Sequence, residues 1–178
     1  MTVALVRHGR TAWNLARRMQ GRADIPLDAH GRAQAESAAE LLSRAKWTRI
    51  VSSPLSRAAE TASLISRKLA HAEVMTDERL IERDYGAAEG MAVSEARERW
   101  PDSDYPDAEP LFETIERARR VLTHIEQLEG DSIVVAHGTL LRVGVEALTT
   151  GTCPRILNGQ VVLLERDGAD RFVARFLS

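Results

Sequence analysis

The chain has 178 residues, 44% of them hydrophobic and 28% charged, with a formal net charge of −2. That is enough for one compact domain with a buried core and too little for two, and the near-neutral balance argues against bulk nucleic-acid binding. The single cysteine, Cys153, excludes an intramolecular disulfide and fits a reducing compartment; no Cys/His cluster has structural-zinc spacing, and no run approaches the roughly 20 apolar residues of a membrane span.

In chain order, Val3-Ala4-Leu5-Val6 reads as a buried strand over 2–7 that runs straight from the N-terminus into Arg7-His8-Gly9. With no basic leader before it, a cytoplasmic, non-membrane protein is expected. A helix is predicted over 31–45. A strand over 48–52 feeds Ser52-Ser53-Pro54-Leu55-Ser56-Arg57 and a helix over 56–70, followed by a strand over 73–76. Residues 101–110 hold three prolines among acids and form a loop within a short cap region around 91–110. Over 111–129, Leu111, Phe112, Ile115, Ala118, Val121, Leu122, Ile125 and Leu128 keep a helical period. A strand over 132–136 ends in His137-Gly138 before a helix over 139–149, and strands over 160–166 and 171–177 flank the turn sequence Asp167-Gly168-Ala169-Asp170, a closing hairpin. Alternating strands and helices, without a repeat or a linker, predict one α/β layered domain over 1–178.

Charge is uneven: residues 1–70 carry 12 Lys/Arg against 5 Asp/Glu, and residues 71–130 carry 7 against 16. Solvated helix faces account for most of this, but two arginines sit beside strand ends. A histidine after a buried strand and before a glycine has little steric cover, and the helix that follows offers N–H groups to an anion. Arg7 and Arg57 carry guanidinium forks that match phosphoryl oxygens, so a phosphoryl site without a metal is the inference.

The string LVRHGRTAWN (5–14), followed by RMQGRADIPLDAHGRAQA (18–35), SSPLSRAAETA (52–62), LIERDYGAAEG (80–90) and VVAHGTLLR (134–142), resembles the histidine phosphatase superfamily, in the branch of the phosphoglycerate mutases and their phosphatase relatives. The resemblance implies a three-layer α/β/α sandwich around a mostly parallel mixed sheet. It implies His8 as a nucleophile that forms a phosphohistidine, with Arg7, Arg57 and His137 cradling the phosphoryl oxygens, and no cofactor. Glu82 matches the family's acid, protonating the leaving oxygen and then activating water; Asp84 and Glu89 are rival carboxylates. Asn14 matches a position in the phosphate pocket, and Gln20 and Gly21 match a block that touches the rest of the substrate. His30, His71 and His124 match no block and read as structural or solvated, and Trp13, Trp47 and Trp100 as packing residues.

Mutases of this family run after the glycine at 90 through a longer insertion with Lys and paired Arg residues; here MAVSEARERWPDSDYPDAEP takes its place, and those gripping arginines are expected to be missing. Arg119-Arg120 lies inside the periodic helix. Arg10 departs from the pattern, either adding charge at the pocket mouth or pairing with a local acid. The expected activity is metal-independent hydrolysis of a small phosphorylated metabolite, with phosphoglycerate mutase as the alternative and a non-catalytic phosphate-binding module as the third reading.

Overall fold

The computed structural model describes residues 1–69, 72–149, 151–168 and 171–177. Among the described residues, six strands form one sheet: β1 (Thr2–Arg7), β2 (Arg49–Ser52), β3 (Glu73–Thr76), β4 (Ser132–Ala136), β5 (Val161–Arg166) and β6 (Phe172–Phe176), in the order β3-β2-β4-β1-β5-β6. The pairs β3/β2, β2/β4 and β4/β1 are parallel, and β1/β5 and β5/β6 antiparallel, so the sheet is mixed and mostly parallel as expected. Around it are helices α1 (Ala12–Leu15), α2 (Ala29–Leu42), α3 (Ser56–Ser66), α4 (Val93–Arg99), α5 (Leu111–Glu126) and α6 (Gly138–Thr149).

The central strands are buried on both faces, which explains their unbroken apolar runs. Val3, Leu5 and Val134 face α5 and α6 in one core, whereas Ala4, Val6, Ile133 and Val135 face α2 and α3 in the other. Helices therefore cover both faces, giving the three layers. The edge strand β3 is exposed along its length. In α5 the helical period is carried by Thr114, Ala118, Val121, Leu122 and Ile125, but Leu111 and Phe112, expected on the buried face, are exposed. They fall in the first turn, beyond the reach of the sheet. Gly144 lets α6 lie close to α5: a Cβ there would stand 2.6 Å from Leu122 Cδ1.

Sequence reading missed α1 and α4, of four and seven residues, both too short to display a period. The helix predicted to reach residue 70 ends at Ser66, and α5 ends three residues before the predicted 129. The hairpin pairing of β5 with β6 is present, although Ala169 and Asp170 of its turn, like His71, lie outside the described residues. The tryptophans pack as expected: Trp47 donates to Leu42 O, Trp100 meets Tyr105 edge-on, and Trp13 lies against Gly90.

Two glycines bring the turn after β1 onto the start of α2. A Cβ on Gly9 would collide with the Gly31 carbonyl, and one on Gly31 with that of Arg10, so neither backbone has room for a side chain. Gly9→Ala is expected to destabilise the protein by about 1–3 kcal/mol through overpacking, read as a lower urea midpoint; an unchanged midpoint would refute the tight-approach account.

Candidate active site

The register of β1 against β4 pairs Arg7 with Ala136, and the next backbone bond, His8 N–H to Ala136 O (3.0 Å), continues it. His8 and His137 therefore leave the sheet side by side, with ring centroids 5.1 Å apart. β2 ends level with them, because Ser53 N–H donates to Val135 O (3.0 Å). Three parallel strands thus deliver His8, His137 and Ser53 to one carboxyl-end edge, where open α/β sheets place ligands.

His8 is almost wholly buried. Its Nδ1–H donates to the Gly9 carbonyl (2.7 Å), which fixes the tautomer and leaves the Nε2 lone pair without a protein partner among the described residues. Burial, and then the charges of Arg7 and Arg57, hold its pKa well below the ordinary histidine value. His137 is fully buried, and its pKa is lowered by the same burial and then by Arg57. Its Nε2 lies 2.8 Å from Ser53 Oγ, whereas Nδ1 has no partner among the described residues. A Ser53 hydroxyl that donates to Nε2 makes Nδ1 an N–H donor with nothing to donate to.

The second buried orphan is Arg7 Nε. Arg7 donates through Nη1 to Ile156 O (2.8 Å) and lies flat against Gly138, where a Cβ would stand 3.2 Å from the guanidinium carbon. The glycine after His137 is what lets the fork lie there. Arg57 is placed differently from the free fork expected of it: Nη2 donates to Gly21 O (2.6 Å) and Nη1 to Ala23 O (2.8 Å), while Gln20, with its amide oxygen turned inward, accepts from Nε (2.9 Å). Most of its donors are therefore occupied by the loop at 20–23, although its charge remains in the site. Burial pulls its pKa down to about 10, against the opposing pull of Glu82.

Gln20 also bonds Thr11 Oγ1 (2.6 Å), and Gly21 N–H donates to Glu89. Gln20 lines the cleft, while Gly21 is outside its lining and serves Arg57 through its carbonyl. Asn14 caps α1 reciprocally with Thr11 and lines the cleft; its Oδ1 also accepts from Asn158 Nδ2 (3.0 Å), which in turn donates to His8 O (3.0 Å). Thr61, from the sequence block around Arg57, accepts from Gly9 N–H (3.1 Å) and donates to Arg57 O (2.7 Å), tying α3 to the turn after β1.

Glu82 lines the cleft, unlike Asp84 and Glu89. Asp84 accepts from Gly86 N–H, and Glu89 from Gly21 and Arg22. Glu82 Oε1 accepts from Leu140 (3.0 Å) and Arg83 (2.9 Å) N–H, and Oε2 from Thr139 N–H (3.0 Å). The first turn of α6, expected to offer N–H groups to an anion, is thus already closed by this carboxylate. Tyr85 lines the cleft beside it, bonded to Thr139 Oγ1 at 2.5 Å, with its phenol pKa raised by burial and then by Glu82.

The cleft measures about 910 Å³. Arg10 lines it and pairs with Asp28 (2.8 Å). Arg119 and Arg120 lie on the exposed side of α5 against Glu116. The segment after Gly90 is nevertheless not devoid of arginines at the cleft, since α4 brings Arg97 there; without a visible helix, its direction could not be read. Ser53, Tyr85, Asn158 and Arg97 were missed in sequence, and only Ser53 and Tyr85 lie inside a recognisable block.

The model of the histidine phosphatase superfamily (branch 1) matches residues 3–176. The chain belongs to that superfamily. It is 40% identical over 151 residues to a Bacillus subtilis protein named uncharacterized phosphatase PhoE, covering 84% of this chain and 78% of that one. It is 37% identical over 154 residues to a Proteus mirabilis protein named probable phosphoglycerate mutase GpmB, covering 79% and 71%. Among solved structures, Bacillus stearothermophilus YhfR superposes with a TM-score of 0.86 at 29% identity, over 98% of this chain and 95% of that one. A mycobacterial glucosyl-3-phosphoglycerate phosphatase in complex with VO3 gives 0.85 at 26%, over 98% and 97%. This histidine phosphatase-family chain is therefore a phosphatase or a mutase-like enzyme.

Because both imidazoles are held neutral, protons bind the unfolded chain first as pH falls. Stability is whole above about pH 6.5 and declines between that value and the lowered folded pKa, by up to about 1.4 kcal/mol per pH unit for each histidine. His8→Asn is expected to remove about half of that acid-side slope, measured by urea unfolding between about pH 7.5 and pH 5.

Proposed function

We propose that the chain is a metal-independent phosphomonoesterase working through a phosphohistidine on a small phosphorylated metabolite. The observation that carries this reading is the pair of orphaned buried atoms, Arg7 Nε and His137 Nδ1, beside a neutral His8 whose Nε2 has no protein partner. Buried donors without acceptors cost about 1–3 kcal/mol each, and a phosphoryl oxyanion satisfies both.

In the first half-reaction the His8 Nε2 lone pair attacks phosphorus, the ester P–O bond breaks, and the departing oxygen takes a proton from Glu82. Oε2 accepts one N–H where Oε1 accepts two, so it has the freer lone pair for exchanging that proton. In the second, water attacks the phosphohistidine, Glu82 takes up a water proton, inorganic phosphate leaves and Nε2 is restored. Arg7 and the charge of Arg57 stabilise the equatorial oxygens throughout.

The relative named as a probable phosphoglycerate mutase supports a second reading, transfer back to a phosphoglycerate rather than to water. Phosphoglycerate distinguishes the two: free phosphate marks hydrolysis, the isomer marks a mutase. A non-catalytic module releases neither.

Phosphate release is expected to persist in EDTA and to vanish in His8→Ala, with an acid-labile phosphoprotein trapped only in the parent; a chelator-sensitive activity overturns the mechanism. For Glu82→Gln, kcat on an alkyl phosphate is expected to fall about 10²–10⁴-fold, but far less on nitrophenyl phosphate, whose leaving group needs no proton. Equal losses on both substrates would remove Glu82 from the acid role.

A further inference from the structure

Arg57 is a fully buried cation, yet among the described residues no carboxylate touches its guanidinium. A charge that deep needs a counter-charge. One stands at the far side of a single peptide group. Arg57 Nη2 donates to Gly21 O (2.6 Å), and the N–H of that same peptide, Arg22 N–H, donates to Glu89 Oε2 (3.2 Å). In a trans peptide these two groups point in opposite directions, so the 21–22 unit lies between guanidinium and carboxylate with its dipole aligned to both. Glu89 Oε1 accepts from Gly21 N–H, so both of its oxygens are taken up by this loop, and it forms no ion pair among the described residues. Against the burial that favours loss of its proton, Arg57 is supported by the charges of Glu82, then Asp24 and Glu89. The loop also lies pressed onto the carboxylate: a Cβ on Gly21 would stand 2.4 Å from Arg83 O and 2.8 Å from Glu89 Oε2. At its other end, Asp24 Oδ1 accepts from the N–H and the hydroxyl of Ser56 (both 2.8 Å), the residue before Arg57 in the first turn of α3.

A guanidinium has N–H donors in a rigid planar fork, so holding most of them fixes the direction of the rest. In Arg57, Nε–H goes to the Gln20 amide oxygen (2.9 Å), Nη1 to Ala23 O (2.8 Å) with the same Gln20 oxygen at 3.2 Å, and Nη2 to Gly21 O, which leaves one Nη2–H without an acceptor among the described residues. We propose that Glu89 is a positioning residue for Arg57: through the 21–22 peptide it holds the guanidinium in the orientation that serves the phosphoryl group. This rests on the hydrolytic reading above, and it turns a rival for the acid role into the support of an arginine. Glu89 is outside the cleft lining and touches no substrate. The loop-held fork is the working geometry, and a ligand does not have to pull it free. Charge and shape both matter at position 89. A glutamine there has one acceptor oxygen for two main-chain donors, and its NH2 faces an N–H, so one donor is orphaned and the peptide loses the charge at its outer end.

The test is a double-mutant cycle of Glu89→Gln and Arg57→Lys, read as kcat/KM on glycerol phosphate and as calorimetric affinity for inorganic phosphate. Arg57→Lys is expected to lower kcat/KM by about 10²–10³-fold and Glu89→Gln by about 10–100-fold, with phosphate affinity falling in the same order. Added to Arg57→Lys, Glu89→Gln is expected to cost less than about twofold, because the group it positions is gone. Glu95→Gln removes the same charge from the shallow hollow that Glu89 also lines, without touching the loop, and is expected to match the parent. Losses that multiply in the double variant, or a Glu89→Gln protein equal to the parent, overturn the proposal. The Arg22 amide proton gives a signature that loop stability alone does not move: its chemical shift is expected to change in Arg57→Lys, and a signal indifferent to Arg57 removes the peptide link. If the buried substitutions unfold the chain, a crystal structure of the parent with orthovanadate decides. Arg57 is expected to keep Gly21 O and Ala23 O with the anion bound, and a fork that abandons these carbonyls to reach it sinks the proposal. If the parent hydrolyses no ester, the phosphatase reading fails instead, and the phosphate-affinity cycle still decides the role of Glu89.

Discussion

The parallel pairing of β1 with β4 is the constraint on which the rest depends. Its register sets Arg7 opposite Ala136, so the residue that follows each strand is a histidine, and the two rings meet. Because side chains alternate across a sheet, a slip of one residue would turn Val3, Leu5, Val134 and Ala136 away from the α5/α6 core. Burial of the apolar faces therefore fixes the register, and the register fixes the distance between the imidazoles. Packing and chemistry are specified by the same ladder.

Around that pair, the protein uses several of its arginines to hold the chain. Arg57 binds the carbonyls of Gly21 and Ala23, and Arg83 holds the segment before α5 through Glu109 O (2.8 Å) while lying near Tyr85 and Tyr105. Arg117 reaches Ile81 O (2.7 Å) and pairs with Glu109, fixing the stretch that carries Glu82. Arg7 keeps Nε unsatisfied. Loop geometry is thus made rigid by charge-assisted bonds to backbone carbonyls, so that a small number of donors can remain open at little cost in mobility.

Glu82 joins two functions that sequence reading treats as separate. It closes the N-terminus of α6, whose first residues follow directly on His137, and it stands in the cleft beside Tyr85. In the proposed reaction, a change in its protonation alters the hydrogen bonding of the helix that positions His137. Glu82 and His137 are therefore linked through the backbone of residues 137–140.

By itself the sequence determined the class of fold, because apolar runs of strand length and a sustained helical period in α5 and α6 are local signals, and it named His8, Arg7, Arg57 and His137, because each lies in a compact block beside a strand end. It also favoured Glu82 over its neighbours; in the structure Glu82 lines the cleft and Asp84 and Glu89 do not. Tertiary structure alone decided that Arg57 is largely occupied by backbone carbonyls, that Ser53 sets the open nitrogen of His137, and that Arg97 lines the cleft. These are contacts between residues tens of positions apart, on loops and on helices shorter than two turns. No period or propensity records them; they exist only once strand register and loop packing have brought the segments together.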